Sequence, residues 1–583
     1  MTTEAAIPAA ASAESADRRG RTWAVIYGGL TIGLVAIFCA VTAGIAWRRL
    51  IYFPYAGLWL VRLLPLALLL AAAATFAMAL RELGLAAQTQ GWAERLSRDW
   101  RRHCGLIAGA AVLLSIGIVW VLRAFPNSGD EYAYLWLART FLAGRLWNPL
   151  PPIPDLFVVA QTGFFGAHWV TVYNPGWPAL LAAGMAAGLP AWLISPLTGG
   201  ALLVLAALLG HRRDGPLGGV VAAALIGASP VFLFNAAAYF EHVPAAAAGL
   251  LFCWRAGRFL ERPQLGTALL CGAALGVLGL IRAVDAAIFA LPFAAEFLWR
   301  ARLRHYRLAP AIGLAGLPFL AALMGYYWLT IGTPVPTFPD VAQSVKFGAA
   351  TIGGRSGLAL ILPRLLLALS RLVAVAEWSS PLVVPAAATA FVVLARRRRL
   401  SFVDLVFPMF VVAYLFVPYD GGNQYGPRYY FDGFPCLVLT LVSGLVPLLQ
   451  DKLCPQRAAF GWFSLVAHGA ICAIVLAFLC SGMRRVVDQR MDLYDQVQAQ
   501  HLHNAVVVVR SGTSDIYKMY PPDLVRDGID AQGDVLYVLD LPQQMPELRR
   551  LYPHRRFYVY VRAADRASGA LRPARLSQTR SGG

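Results

Sequence analysis

Two carboxylates, Asp130 and Glu131, stand side by side in Asn127-Ser128-Gly129-Asp130-Glu131-Tyr132, directly after an apolar run over 106–122. Acidic groups at the mouth of a membrane span are costly unless they are solvated, paired or used. The chemistry open to them is that of a general base or a metal ligand. A carboxylate beside a low-dielectric cavity has its pKa raised toward neutrality, which suits a base. Tyr132, Tyr134 and Trp136 would supply such ring-lined surroundings. The plainer reading is a hydrated loop whose aspartate caps the helix that follows.

Other reactive residue types recur at the ends of apolar runs. Glu241 and His242 form a second acid–imidazole pair, which alone would read as an interfacial pair. Asp155 and His168 are polar candidates in the same loop as Asp130. The stretch from Tyr419 to Asp432 is rich in glycine and aromatics and contains Tyr425, Arg428 and Tyr429. Glycine lets a backbone approach a ligand, and an arginine fork fits phosphate. The tyrosines fit either stacking on a sugar or an interfacial aromatic belt. Arg282, with Asp285 nearby, is either a phosphate contact or half of a structural ion pair.

The elements that would position these groups are membrane helices. The chain has 583 residues, 58% of them hydrophobic and 14% charged, with a mean hydropathy of +0.59; a soluble domain carries about a quarter charged residues. About thirteen apolar runs are long enough to be candidate spans: 23–47, 57–82, 105–122, 192–210, 216–234, 243–259, 266–282, 284–299, 308–330, 379–395, 402–418, 433–449 and 459–481. Net charge is +19, and only Lys346, Lys452 and Lys518 among the 50 basic residues are lysine. The arginines fall into separate loops and are not interleaved with aromatics on one face, so nucleic acid is a poor partner. The eight cysteines have no CxxC spacing, which implies neither a disulfide framework nor a metal cluster.

Placing basic loops in the cytoplasm puts clusters such as 211–213, 255–262, 300–307 and 396–399 inside, with Arg48 and Arg49 as the exception. The Asp130 loop, the Glu241 turn, Arg282, the 419–432 loop and everything after about 483 then lie outside. The expected organisation is a disordered cytoplasmic segment 1–22, a membrane domain 23–483 with a large outer loop 123–190, a small extracytoplasmic α/β domain 484–566, and a disordered tail 567–583. Three β-rich runs, 505–509, 535–539 and 557–561, carry the α/β expectation. Within the outer segments, 132–143 and 357–376 read as membrane-parallel helices, the second with Arg364 and Arg371 each on an otherwise apolar face, as in interfacial helices. The segment 177–188 reads as a half-helix.

Several short motifs resemble one family. Gly129-Asp130-Glu131-Tyr132 after an apolar helix, the short helix ending Ala143-Gly144-Arg145, the segment from Tyr173 to Pro178, Gly279-Leu280-Ile281-Arg282 and Gly426-Pro427-Arg428-Tyr429 are similar to motifs of the polyprenyl-phosphate-sugar-dependent GT-C glycosyltransferases, the protein O-mannosyltransferase and aminoarabinose transferase group. The layout matches over most of 105–481, although two runs precede the acidic loop where the family usually has one. The resemblance implies a GT-C-like helical membrane fold in a bacterial inner membrane. It implies a sugar donor on a polyprenyl phosphate, an extracytoplasmic glycan, lipid or protein acceptor, and inverting displacement. Asp130 and Glu131 would be catalytic, with Asp130 the base. Glu241, His242, Arg282, Tyr425, Arg428 and Tyr429 would bind substrate. No cofactor is required by this reading, and a divalent metal is left open. Two other classes compete with this one. A lipid or sugar transporter or flippase would place charges near the midplane of spans and show inverted repeats. A non-catalytic envelope assembly factor would use the carboxylates only structurally.

Overall fold

The computed structural model describes residues 20–37, 59–84, 89, 91–336, 361–416, 425–511, 523–562 and 568–574. The expectations for residues 1–19, for 419–424 of the glycine-rich loop and for the tail 575–583 lie outside the described residues.

The chain is a multi-pass helical membrane protein. Its first half runs α1 (Gly20–Ile37), α2 (Trp59–Glu82), α3 (Trp92–Arg98), α4 (Trp100–Val121), α5 (Gly129–Leu142), α6 (Gly176–Ala186), α7 (Ala191–Ala228), α8 (Pro230–Ala237), α9 (His242–Glu261) and α10 (Leu265–Ile281). Then follow α11 (Ala283–Arg300), α12 (Leu303–Ile331), α13 (Ile361–Glu377), α14 (Val383–Arg396), α15 (Phe402–Ala413), α16 (Arg428–Phe431), α17 (Phe434–Leu449) and α18 (Pro455–Ala499). Among the described residues, five helices are long and apolar enough to cross a membrane, or six if one bent pair is a single span. About thirteen spans were expected. The runs at 266–282, 379–395, 402–418 and 433–449 do form helices, but of 17, 14, 12 and 16 residues, short of the roughly 20 needed for a full crossing.

Two breaks shape the bundle. Inside α7, Asp214 and Gly215 leave helical geometry, and Gly215 takes φ 75°, which favours glycine. The two halves fold back on each other there: a Cβ on Gly210 would lie 2.7 Å from the Gly218 carbonyl oxygen, and one on Gly218 2.8 Å from that of Gly210. Between α8 and α9 the axis bends by 114°. Such a break exposes backbone groups that must be satisfied within protein. Around Tyr239 this is done by side chains: its N–H donates to Glu131 Oε1 (3.1 Å), and its carbonyl accepts from Trp177 Nε1 (2.7 Å).

The loop between α5 and α6 holds a small antiparallel sheet, β1 (Asn148–Pro149), β2 (Thr162–Phe165) and β3 (His168–Thr171), in the order β1-β3-β2. After α18 comes a second sheet of β4 (Ala505–Ser511), β5 (Val535–Leu539), β6 (Arg556–Arg562) and β7 (Ala570–Pro573), with α19 (Met545–Leu551) between β5 and β6. Its order is β5-β4-β6-β7, with β5 and β6 parallel to β4 and β7 antiparallel to β6. Two sequence expectations change here. The boundary at 483 falls within α18, which runs unbroken for 45 residues into this domain. The tail expected to be disordered from 567 supplies the edge strand β7.

The α/β domain is docked on the loop of α5. Val506, Val508, Val525, Leu536 and Val538 share one buried cluster with Tyr132, Trp136, Phe157 and Trp169. Burial of this many large apolar groups, at about 25 cal/mol per Å², holds the domain against the helix that carries Asp130.

Candidate active site

The first turn of α5 is built by Ser128. Its backbone is extended (φ −148°, ψ 164°), and its hydroxyl oxygen accepts the Glu131 N–H at 3.2 Å. The sequence reading offered an aspartate as the cap; the structure gives that role to Ser128. The Ser-x-x-Glu spacing is the capping-box signature that points to it. Both carboxylates therefore sit inside the first turn, where the helix dipole favours negative charge.

Their environments differ. The Glu131 side chain is buried, 1% exposed, and accepts from the Tyr239 N–H and the Ser128 hydroxyl. Burial pushes its carboxyl up to about 7, against the Tyr239 hydrogen bond and the Arg428 charge, which pull it down. Asp130 keeps a 23% exposed side chain. Its Oδ2 accepts from both Nη1 (3.0 Å) and Nη2 (3.1 Å) of Arg428. Among the described residues, its Oδ1 makes no hydrogen bond.

Arg428 opens the short helix α16, and its guanidinium lies 4.0 Å from the centroid of Phe240, in the break between α8 and α9. The turn that delivers it has Tyr425 at φ 58° and Gly426 at φ 92°. A Cβ on Gly426 would lie 3.0 Å from Trp378 Cγ, so the turn is both strained and tightly packed without glycine. Arg428 is itself 8% exposed, and its buried Nε has no hydrogen-bond partner among the described residues.

The remaining predicted residues separate into groups. Glu241, His242, Arg282 and Asp285 join one closed network with Asp432 and Tyr414. Arg282 Nη1 pairs with Glu241, Nε with Asp285 Oδ2 (2.6 Å) and Asp432 Oδ2 (3.1 Å), and Nη2 donates to the Tyr414 hydroxyl (2.8 Å). His242 Nδ1 lies 3.0 Å from Asp432 Oδ1. Tyr425 is fully buried and stacks on Phe234 as a core residue. Tyr429 stacks on Tyr414 at 4.9 Å with the Arg371 guanidinium 5.2 Å from its ring. Arg371 is thus turned inward and 1% exposed, not at an interface as the sequence suggested, because rings and a buried carbonyl are available to it. Asp155 meets Gln544 of the α/β domain at 3.4 Å, and His168 packs at a tilt on Trp147 and lies 3.1 Å from the Thr330 carbonyl. Neither is brought to Asp130. Among the described residues, no group of three or more His, Cys, Asp or Glu could hold a metal ion.

Sequence reasoning missed Tyr239, Asp432 and the residues 523–527 of the α/β domain, described below, and placed Arg371 at the membrane interface. Only Asp432 had a signal, as an acidic group closing the loop that contains Arg428.

No family model and no curated protein matches the sequence. Among solved structures, the chain is similar to ArnT from Cupriavidus metallidurans, in the apo state and bound to undecaprenyl phosphate, at 14% identity and a TM-score of 0.47 over 78% of this chain and 93% of that one. It is similar to the archaeal oligosaccharyltransferase AglB from Archaeoglobus fulgidus in complex with an inhibitory peptide and a dolichol-phosphate, at 13% and 0.41 over 80% and 70%. The arabinofuranosyltransferase AftD from Mycobacteria gives 17% and 0.42 over 79% and 35%. These are GT-C glycosyltransferases, the group whose motifs the sequence resembles. Likeness of this size leaves the chemistry to be argued from the residues.

Proposed function

We propose that this chain is a membrane glycosyltransferase that moves a sugar from a polyprenyl phosphate to an acceptor hydroxyl. The observation that supports this best is the Asp130–Arg428 pair. It joins a carboxylate with an uncommitted, partly exposed oxygen to a guanidinium suited to phosphate, across 298 residues of sequence. Transfer from a lipid phosphate needs those two groups together: a base for the nucleophile and a cation for the leaving group.

In this reading, Asp130 takes the proton of the acceptor hydroxyl. The acceptor oxygen attacks the anomeric carbon, the bond from that carbon to the phosphate oxygen breaks, and the electron pair leaves with the polyprenyl phosphate. Arg428 stabilises the charge that collects there, and the configuration at the anomeric carbon inverts. Glu131 holds the catalytic helix to the break between α8 and α9 and does not touch the substrate. Arg282 is neutralised by three carboxylates, so it orders the site and leaves the phosphate to Arg428. Tyr429 edges the site with its ring already packed on Tyr414 and beside Arg371, so it shapes the site wall. The charge distribution over the loops supports a site on the extracytoplasmic side of a bacterial inner membrane.

Asp130→Asn tests the assignment. It keeps the shape and an acceptor for Arg428 but removes the base. Transfer from a radiolabelled polyprenyl-phosphate sugar should fall by about 10²–10⁴-fold, while binding of polyprenyl phosphate persists. Normal transfer by the variant would remove Asp130 as the base.

A further inference from the structure

The N-terminal turn of α5 is completed by the α/β domain. Gly129 is the first residue of that helix, and its N–H has no partner within the helix. The Asp523 carboxylate lies directly against this first residue. The approach is close: a Cβ on Gly129 would lie 2.6 Å from Asp523 Oδ1 and would also collide with Ala160. Asp523 is held from the other side by Arg490 of α18, 3.5 Å away. Three residues on, Arg526 donates from Nε to the Asp523 carbonyl (3.0 Å), and its guanidinium sits among the rings of Phe125 (4.2 Å), Tyr132 (5.1 Å) and Tyr494 (5.9 Å). Tyr132, on α5, donates from its hydroxyl to the Asp527 carbonyl at 3.0 Å. Tyr494, on α18, does the same to Leu524 at 2.8 Å. Residues 523–527 thus grip the turn that bears Asp130 from three directions.

We propose that Asp523 is a positioning residue of the transfer reaction, fixing Gly129 and through it Asp130, so that the α/β domain is part of the catalytic unit. This rests on the reading of Asp130 as the base. The physical reason is geometric. Asp130 follows Gly129 directly, and a base misplaced by about 1 Å costs on the order of 10²-fold in rate. A carboxylate is also the acceptor that the positive end of the helix favours, and Arg490 and Arg526 offset its repulsion from Asp130.

The test uses full-length protein and compares kcat, KM for the polyprenyl-phosphate sugar, and Tm for Asp523→Ala, Asp523→Asn, Asp130→Asn and the double variant Asp130→Asn/Asp523→Ala. Asp523→Ala should lower kcat by about 10–100-fold with KM within about threefold. Asp523→Asn, which still offers an oxygen to Gly129, should recover most of that loss. The double variant should be no slower than Asp130→Asn alone, because positioning acts through the Asp130 carboxylate. A purely structural role would instead lower Tm and the folded fraction, impair both Asp523 variants alike and add to the Asp130 defect. If Asp523→Ala does not fold, Asp523→Ser carries the test, since its shorter side chain withdraws the acceptor from Gly129 and should give the same kcat loss. Wild-type kcat in Asp523→Ala, or an additive double variant, overturns the proposal. Normal transfer by Asp130→Asn would instead overturn the assignment of the base, independently of Asp523.

Discussion

Two charged clusters lie within reach of the break between α8 and α9, and they are built on opposite plans. Around Arg282, one guanidinium meets three carboxylates and a tyrosine, with an imidazole completing the ring of partners; Glu241, His242, Asp285 and Asp432 are all 6% exposed or less. Around Asp130, a single carboxylate meets a single guanidinium, and among the described residues one oxygen of the acid and the Nε of the arginine are left without hydrogen bonds. The Arg282 network spends its charges on itself, and among the described residues its one buried oxygen without a hydrogen bond, Asp432 Oδ2, still lies 3.1 Å from the Arg282 Nε. An open pair keeps capacity for a substrate. The difference separates a group that holds the fold from a group that can react, although arginine and acid appear in both.

Removing the arginine from each cluster should therefore have different consequences. Arg282→Ala leaves three buried carboxylates facing one another, and breaking a buried pair costs about 3–5 kcal/mol. The expected outcome is a large drop in Tm and in the yield of folded protein in detergent, the largest effect of the set. A Tm close to that of the parent would show that the network is not closed. Arg428→Ala should behave in the reverse way. Asp130 is 23% exposed and can be rehydrated, so the stability loss should be near 1–2 kcal/mol, while transfer falls by about 10²–10³-fold. Arg428→Lys keeps the charge without the fork and should recover only part of the rate. Equal losses of Tm in Arg282→Ala and Arg428→Ala would erase the contrast.

Glu131 sharpens the comparison within a single dipeptide. Its carboxyl is raised to about 7 by burial from an ordinary value near 4.5. Because the folded state holds this proton more tightly than the unfolded chain, its stabilisation is complete below about pH 4.5 and is lost as pH rises through 7. One pKa unit is worth about 1.4 kcal/mol, so the swing between pH 5 and pH 8 is about 2–3 kcal/mol. Glu131→Gln is neutral throughout and keeps an oxygen for the Tyr239 N–H. Its Tm should exceed that of the parent at pH 8 and converge with it at pH 5, with transfer retained. A pH-independent difference between the two would place the titration elsewhere.

Much of the helical layout was legible, because apolar runs of this length have few other folds available. The β-rich runs 505–509, 535–539 and 557–561 also mark strands, since Val and Tyr clusters suit a buried parallel sheet. What escaped was short or polar. The strands β1 to β3 have two to four residues each, and β7 reads Ala-Leu-Arg-Pro, so neither carries a periodic signal. The breaks in α7 and after α8 were seen as boundaries between spans, because hydropathy does not register a bend. At the site, the sequence supplied a list containing Asp130, Arg282 and Arg428 without saying which acid each arginine meets. That pairing depends on contacts between segments as far apart as 298 positions, and it decides which arginine is open. Asp523 carried no signal at all: it packs on the backbone of Gly129, and a main-chain contact leaves no mark on residue types.

The smallest effect belongs to Ser128, and it tests how rigidly the open pair is held. Ser128 caps α5 by accepting the Glu131 N–H and donating toward its carboxylate. Loss of such a cap costs about 1 kcal/mol, and here Glu131 and the Gly129–Asp523 contact still restrain the turn. Ser128→Ala should thus lower Tm by only a few degrees and kcat by less than about tenfold. A loss of kcat as large as that of Asp130→Asn would mean that the first turn is set by Ser128 alone, and that the contacts from the break and from the α/β domain add nothing to the placement of Asp130.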